Sequence, residues 1–313
     1  MSLQGLLKTS LKLSDQELRE WPTNLEKMDP ERQQWLQDAM SNVLKNQDIH
    51  QLKRHLNILA QGKAEELDEN SLEEKSKALE EIQFLLDSDH NATDLHLIGG
   101  LTLITEYLSS PYSSLRWRAA EIVAEATQNK PVCQLAFTDS GGIAKLVKIL
   151  NSDDIDIVKV KSMYALSCVI RNCGDALKSF LSLDGGLNAL LASISSDFEK
   201  LKSKASFMIT NLIAASDESI VLNLVSLNIV KITIAQLRSK HNSSHEHLIN
   251  LLLQVIIRSK QALLQCQLNE NGLKKLLLDK RGKLFADDPE MYQEEISHCD
   301  KILEQCFPAS SVQ

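Results

Sequence analysis

The apolar positions of this chain recur with helical spacing, and residues that permit a sharp turn punctuate them at regular intervals. Gly99-Gly100, Gly141-Gly142, Gly185-Gly186 and Asn271-Gly272 each stand just before a short apolar run, with their final residues 42, 44 and 86 positions apart. The gap of 86 is two periods, and Leu227-Asn228-Ile229 stands where the missing turn is due. Asparagine is the other residue that tolerates the left-handed backbone of a tight turn between helices. A repeat of about 43 residues with only helical periodicity belongs to the armadillo and HEAT class. The glycine turn between a short helix and the next favours armadillo.

Each turn predicts a short helix after it, Leu101 to Leu108, Ile143 to Leu150, Leu187 to Ile194 and Ile229 to Leu237, followed by a longer one. The longer helices are expected over Leu115 to Asn129, Val158 to Asn172, Leu201 to Ala215 and about His245 to Ser259. Ser243 and Glu246 have capping-box spacing at the start of the last, and Ser152 with Asp153 and Asp154 offers a cap and dipole-matched charge before the second. One such repeat leaves its apolar faces uncovered, so neighbours must stack, and the longer helices then line the inner surface of a curved array. The expected fold is all-α, an armadillo-like right-handed superhelical solenoid with helical caps at both ends.

Residues 1–27 have one short apolar stretch and no partner face, which predicts a flexible N-terminal segment. Residues 28–90 read as N-terminal capping helices. One opens at Asp29-Pro30 and carries Trp35, Leu36, Ala39, Met40, Val43 and Leu44 on one face, and a second carries Ile49, Leu52, Leu56 and Leu59. After an acidic linker over 61–70, Ser71 with Glu74 opens a third bearing Leu72, Leu79, Ile82 and Leu86. The array of about four repeats takes 91–280. Residues 281–313 are expected to hold a C-terminal capping helix, opened by Asp288-Pro289, and a tail.

Composition agrees with packed helices. Hydrophobic residues make up 43% of the chain but aromatics only 4%, so the core is built from Leu, Ile, Val and Ala. A net charge of −8 offers no attraction for nucleic acid or anionic lipid, and no run of about 18 apolar residues occurs, so neither nucleic acid nor a membrane is an expected partner. Lys8 and Lys12 interrupt the apolar residues near the start, which argues against a secretory signal. The expectation is a cytoplasmic protein with nuclear access, monomeric when free, whose six scattered cysteines are reduced thiols. Asn91-Ala92-Thr93 and Asn242-Ser243-Ser244 match the glycosylation acceptor pattern and read as ordinary polar turns.

Signatures of catalysis are missing: no phosphate loop, GxSxG elbow, HExxH or GxGxxG occurs. No enzyme activity, cofactor or metal is expected. His241 and His245 have the separation of two ligands on one helical face, but they straddle a predicted helix start. Asp153, Asp154 and Asp156 lack the loop of a calcium site, and Cys168 and Cys173, placed on one helix, cannot meet.

Stepping by one repeat along the longer helices gives three columns. They read Arg118, Lys161, Lys204, His247; then Glu121, Tyr164, Phe207, Asn250; then Glu125, Cys168, Asn211, Gln254. Members within one helix are three or four apart and share a face. A stripe with lysine, aromatic and asparagine residues is too polar for core, and Tyr164 and Phe207 are costly to leave wet, which points to a protein-binding groove. These twelve residues are the candidate partner-binding site.

At Leu115-Arg116-Trp117-Arg118-Ala119-Ala120 the chain resembles the cytosolic Hsp-binding protein family, armadillo nucleotide exchange factors for the 70-kDa heat-shock chaperones. The likeness extends to Leu3-Gln4-Gly5-Leu6-Leu7, Arg32-Gln33-Gln34-Trp35-Leu36-Gln37, Asn91-Ala92-Thr93-Asp94, Val158-Lys159-Val160-Lys161, Leu201-Lys202-Ser203-Lys204, His245-Glu246-His247, and the stretch from Tyr292-Gln293-Glu294-Glu295 to Cys306-Phe307. It implies a co-chaperone whose array embraces one lobe of the chaperone's nucleotide-binding domain so that ADP leaves and ATP enters. It also implies that the segment 1–27 acts near the substrate-binding domain to help free clients. The competing expectation is a peptide-binding adaptor of importin-like type, or a generic interaction scaffold. The importin-like mechanism needs repeated Trp and Asn, whereas the Trp column here reads Glu121, Tyr164, Phe207, Asn250 and the Asn column keeps only Asn211.

Overall fold

The computed structural model describes residues 47–61, 67–88, 90–268 and 271–308. The chain divides into two compact units, Met1–His50 and Gln51–Gln313. Of the first only 47–50, which are helical, are described; the architecture below is that of the second. The expected N-terminal segment 1–27 and the helix opening at Asp29-Pro30 lie outside the described residues, as do positions 62–66 of the expected linker.

Residues 51–60 form α1, and Glu69–Leu85 forms α2. Repeats of three helices follow. The first holds α3 (Asn91–Leu97), α4 (Gly100–Tyr107) and α5 (Ser113–Thr127), and the second α6 (Pro131–Asp139), α7 (Gly142–Ser152) and α8 (Asp156–Ile170). The third holds α9 (Gly174–Ser182), α10 (Gly186–Ile194) and α11 (Glu199–Ala215), and the fourth α12 (Glu218–Ser226), α13 (Ile229–Leu237) and α14 (His245–Arg258). Three further helices, α15 (Lys260–Gln267), α16 (Leu273–Asp287) and α17 (Gln293–Cys306), complete the described chain. The expected boundary at 280 falls inside α16.

The second and third helices of each repeat stand where the periodicity puts them, to within two residues. Each repeat nevertheless opens with a short first helix, α3, α6, α9 or α12, that a two-helix reading lacks. Two turns offer too few apolar positions for periodicity to register. Other signals mark these helices: Pro131 occupies the first position of α6, and Asn129 and Asn172 close the preceding helices in left-handed backbone, with φ of 55° and 56°. Because α8 ends at Ile170 and Cys173 is the N-cap of α9, Cys168 and Cys173 lie on separate helices, contrary to expectation.

The paired glycines divide two tasks. Gly141 is left-handed, φ 74°, a conformation shared by Gly99, Gly185, Gly272 and Asn228 at the equivalent turns. Gly142 instead makes room, since a Cβ there would stand 2.4 Å from the fully buried ring of Phe137 in α6. The first helix therefore packs directly against the backbone of the second. At Asn228-Ile229 the second position carries a side chain, so only the turn is kept.

Helices of equal rank stack on one another. The third-rank row runs α5 on α8, α8 on α11 and α11 on α14, and it is continued by α2 before α5 and by α17 after α14. Leu115, Ile122, Val158, Leu166, Leu201, Ile209, Leu248 and Leu252 fill the layer beneath this row and are buried to 1% exposure or less.

Several expected caps are replaced by other local or tertiary bonds. Asp68 rather than Ser71 caps α2, accepting from the Ser71 N–H at 2.8 Å. Ser244 is the N-cap of α14 without a side-chain bond, while Ser243 Oγ donates to Glu199 at 3.1 Å. Asp153 accepts from the N–H of Ile155 and holds Arg116 of the previous repeat at 2.6 and 3.1 Å. Asp288 accepts from the N–H groups of Glu290 and Met291 in a turn, so α17 opens only at Gln293. Asn91, expected in a polar turn, is buried at the start of α3 and donates to the Leu85 carbonyl.

Candidate functional site

The third-rank helices bring the three sequence columns into physical register, and side chains one repeat apart touch across the helix boundaries. Arg118 of α5 lies over the ring of Trp117 at 4.2 Å, with its guanidinium on the Ser114 carbonyl at 3.4 Å and 4.0 Å from Glu80 of α2. Lys161 of α8 forms a salt bridge with Glu121 of α5 and stands 6.0 Å over Trp117. Lys204 of α11 stands 4.7 Å over the ring of Tyr164 in α8, whose hydroxyl donates to Gln128. Phe207 of α11 meets His247 of α14 edge-on at 6.3 Å, and the guanidinium of Arg171 lies 6.0 Å from its ring. Within α14, Gln254 donates to Asn250 at 3.3 Å.

This arrangement compensates the cations of the first column. Arg118, Lys161 and Lys204 are each seated on an aromatic ring, which stabilises a cation through the ring quadrupole, and Glu121 balances the charge of Lys161. Burial pushes the Lys204 ammonium down, with the Lys161 charge adding to the effect. Burial likewise pushes the Glu125 carboxyl up to about 7, against the lowering effect of a 2.8 Å hydrogen bond from Gln83. The Cys168 thiol is raised mainly by burial.

Placement of the twelve candidates is uneven. Phe207 is 47% exposed and Asn211 is exposed, while Cys168 is buried behind the face at 5% and offers no surface. The other nine are half-buried. Phe207 and Asn211 line a groove of about 620 Å³ together with Arg171, Asn172, Cys173 and Met208. A second groove of about 610 Å³, at the corresponding ends of α2 and α5, includes Glu125, Gln128, Asn129 and Lys130. Trp117, Gln128 and Arg171 belong to the face but fall outside the columns. Trp117 adjoins Arg118 in sequence, and Arg171 precedes the left-handed Asn172, so the end of the helix was the available signal.

One further cluster has ligand-type groups. His241, His245 and Glu295 each offer an atom within 4.8 Å of the others. Glu295 comes from α17, a distance in sequence that hid it. Both nitrogens of His245 are already engaged, Nδ1 by Lys280 Nζ and Nε2 by Ser239 Oγ at 3.2 Å, and His241 Nε2 meets Glu295 at 2.9 Å. The cluster is thus wired as a hydrogen-bond network. Burial first, then Lys280, lowers His245 to about 3, so the ring is neutral there.

Comparisons with known proteins set this geometry in context. Residues 91–222 match the family described as the SIL1/FES1/HPBP1 C-terminal domain. Over 313 residues the chain is 33% identical to Hsp70-binding protein 1 of Mus musculus, which covers 98% of this chain and 86% of that protein. Hsp70 nucleotide exchange factor FES1 of Yarrowia lipolytica is 37% identical over 153 residues, covering 48% of this chain and 54% of that one. A designed armadillo repeat protein of 16% identity superposes with a TM-score of 0.63 over 82% of this chain and 99% of its own, a likeness of fold alone.

Proposed function

The chain belongs to the family of SIL1, FES1 and Hsp70-binding protein 1, and on that premise we propose that its third-rank face is the surface that holds the chaperone. It is a co-chaperone, a nucleotide exchange factor that binds Hsp70, as the names of its relatives state for them. It acts by binding, without covalent chemistry of its own. The bound part of the chaperone is the nucleotide-binding domain, held in an open form from which ADP escapes. The cytosol, with nuclear access, is the compartment that fits a chain whose six cysteines are buried free thiols.

Phe207 carries the assignment. Its ring is 47% exposed beside a groove even with Arg171 set against it, whereas Trp117 and Tyr164 are half-buried beneath their cations, so it is the aromatic surface left for a partner to cover. Aromatic anchors of this kind supply a large share of interface free energy. A basic-peptide adaptor is disfavoured by the same face, because Arg118, Lys161 and Lys204 would confront the peptide's own cations.

The test follows from linkage. A factor that accelerates ADP release by favouring an open chaperone must bind that form better than the closed one, and nucleotide must then weaken its binding by the same ratio, about 1–3 kcal/mol in typical cases. Titration calorimetry against the Hsp70 nucleotide-binding domain should show tight binding without nucleotide and a loss of about tenfold or more with saturating ATP. Equal affinity in both conditions would falsify the exchange mechanism.

A further inference from the structure

At the C-terminal end of each third-rank helix one more residue shares the face. Gln128, Arg171, Ala214 and Ile257 each stand three positions beyond a member of the third column, in steps of 43, and all four are exposed. Three of them are tied to the face by contacts. Gln128 accepts from the Tyr164 hydroxyl, the Arg171 guanidinium lies 6.0 Å from the Phe207 ring, and Ala214 lines the groove beside that ring. Along this edge the chemistry changes: it is polar at the end of α5 and cationic at α8, but apolar at α11 and α14, where Ile257 is 54% exposed. Stacking does not require an apolar residue here, since Gln128 and Arg171 hold the same position in the earlier repeats, and Leu253, Val255 and Ile256 supply the buried side of α14 at this level. A lone exposed isoleucine is ordinary on any surface. This one continues a face that already exposes Phe207 and Ala214.

We propose that the chaperone-binding surface extends to the end of α14, where Ile257, with Ala214 and Phe207, receives aliphatic or aromatic side chains of the Hsp70 nucleotide-binding domain. This rests on the assignment of the third-rank face to the chaperone. The chemistry of the occupant follows from what the strip offers. In the two turns before Ile257 the same face of α14 holds Asn250 and Gln254, which are bonded to each other at 3.3 Å, so an incoming charge would lose water without gaining a counter-charge from that stripe. An apolar side chain meets no such penalty and covers Ile257 as well as Phe207. Interfaces have an apolar centre and a polar rim. Gln128 and Arg171 then belong to the rim, and the centre of the contact lies toward the C-terminal repeats.

The experiment is titration calorimetry of the full chain against the Hsp70 nucleotide-binding domain without nucleotide, at several temperatures. It compares the parent with Ile257→Asn, Ile257→Ala, Phe207→Ala and Leu222→Asn, the last altering a 46% exposed leucine on the first-rank helix α12. Ile257→Asn should weaken binding about tenfold and Ile257→Ala about threefold, both with a less negative heat-capacity change, the mark of lost apolar burial. Leu222→Asn should stay within about twofold of the parent. Helicity and Tm should match the parent because position 257 is exposed; should Ile257→Asn unfold early, Ile257→Ala decides. Parent-like affinity and heat capacity in the Ile257 variants, with binding weakened in Phe207→Ala, would overturn the extension and leave the face assignment standing. If the Phe207 variant also bound like the parent, the face assignment itself would fall and the extension with it. An equal loss in Leu222→Asn would overturn the extension too, since exposed apolar area and not its place would then be the cause.

Discussion

Lysines turned inward at the ends of the helix stack contrast with the lysines that face outward over aromatic rings in its middle. Lys75, near the N-terminal end of the described unit, is 3% exposed and donates to the carbonyls of Ile58, Leu59 and Gln61 at 3.2, 2.8 and 2.6 Å, with Tyr107 hydroxyl at 3.0 Å. Lys280, at the other end, is 9% exposed and lies on His245 Nδ1. Lys161 and Lys204, in the middle of the third-rank row, are half-buried above aromatic rings. The carbonyls at the end of a helix lack partners within that helix. At the N-terminal end of the described stack the inward-turned ammonium of Lys75 satisfies such carbonyls of α1, whereas at the other end that of Lys280 engages the His245 ring. In the middle, neighbouring repeats already cover the apolar layer, so cations and aromatics are free to face a partner. The same residue type thus seals the fold in one region and, on the proposed reading, serves recognition in the other.

The largest expected effect is at the N-terminal seal. Lys75→Met keeps the aliphatic stem but removes the donor from three carbonyls, of which Leu59 retains the Tyr107 hydroxyl at 2.6 Å and Ile58 the N–H of Gln61 at 3.3 Å. Stranding the Gln61 carbonyl costs about 1–3 kcal/mol, and with the weakening at the other two a total near 3 kcal/mol is expected in urea denaturation. ADP release per folded molecule should hold at the parent value. A variant that unfolds like the parent would show that the seal is not structural.

Phe207→Ala sharpens the comparison from the other side. The ring is half in solvent, so helicity and Tm should barely change, while affinity for the chaperone should fall by about 2 kcal/mol, roughly thirtyfold, with slower ADP release at limiting concentration. Unchanged exchange would move the partner to another face of the stack.

Much of this contrast can be read from the sequence, and the reason lies in what repeats. Gly141-Gly142 and its equivalents encode a turn that must recur for the layers to stack, and the 43-residue step then places Lys161 beside Glu121 and Lys204 beside Tyr164 without any knowledge of coordinates. What escaped is what does not repeat. Lys75 meets α1 through its carbonyls, a contact that side-chain patterns do not record, and Glu295 reaches His241 across 54 residues. The exposure of Phe207 against the burial of Cys168, both column members, depends on the angle each helix presents, which a fixed step along the chain does not resolve.

Acid and base should separate the regions more gently. Glu125, in the middle, has its carboxyl raised from 4.5 to about 7, so the folded chain holds a proton that the unfolded one has released. Its favourable contribution is complete below pH 4.5 and declines as pH rises through 7. Glu125→Gln should therefore stabilise the protein at pH 8 by about 1 kcal/mol, allowing for solvent screening, and change little at pH 4. His245, at the C-terminal end, runs the opposite way: lowered from 6.5 to about 3, it must stay neutral to remain folded, so its contribution is complete above pH 6.5 and is lost as pH falls toward 3. Hydrogen exchange at pH 5 should show α14, α16 and α17 loosening before α5 and α8. Simultaneous loosening would mean that the two regions are not independently sealed.

The smallest effect concerns the charge of Lys161. Because Glu121 balances it and Trp117 lies beneath it, Lys161→Gln should cost less than about 1 kcal/mol of stability. Its influence belongs to encounter rather than grip, since charges near an interface mainly alter association rate and are screened by salt. If the facing chaperone surface is acidic, Lys161→Gln should slow association by about two- to threefold at low ionic strength, Glu121→Gln should speed it by a similar factor, and both differences should vanish in about 0.5 M salt. The pair matters more than either variant. A residue that acts only by packing would slow association, or leave it unchanged, irrespective of the sign removed, whereas opposite responses from two bonded neighbours require a field. Opposite responses of the reverse sense would assign the partner a basic surface. The row of ring-seated cations would then serve the fold in the middle as Lys75 and Lys280 do at the ends, leaving Phe207 and its groove as the recognition element.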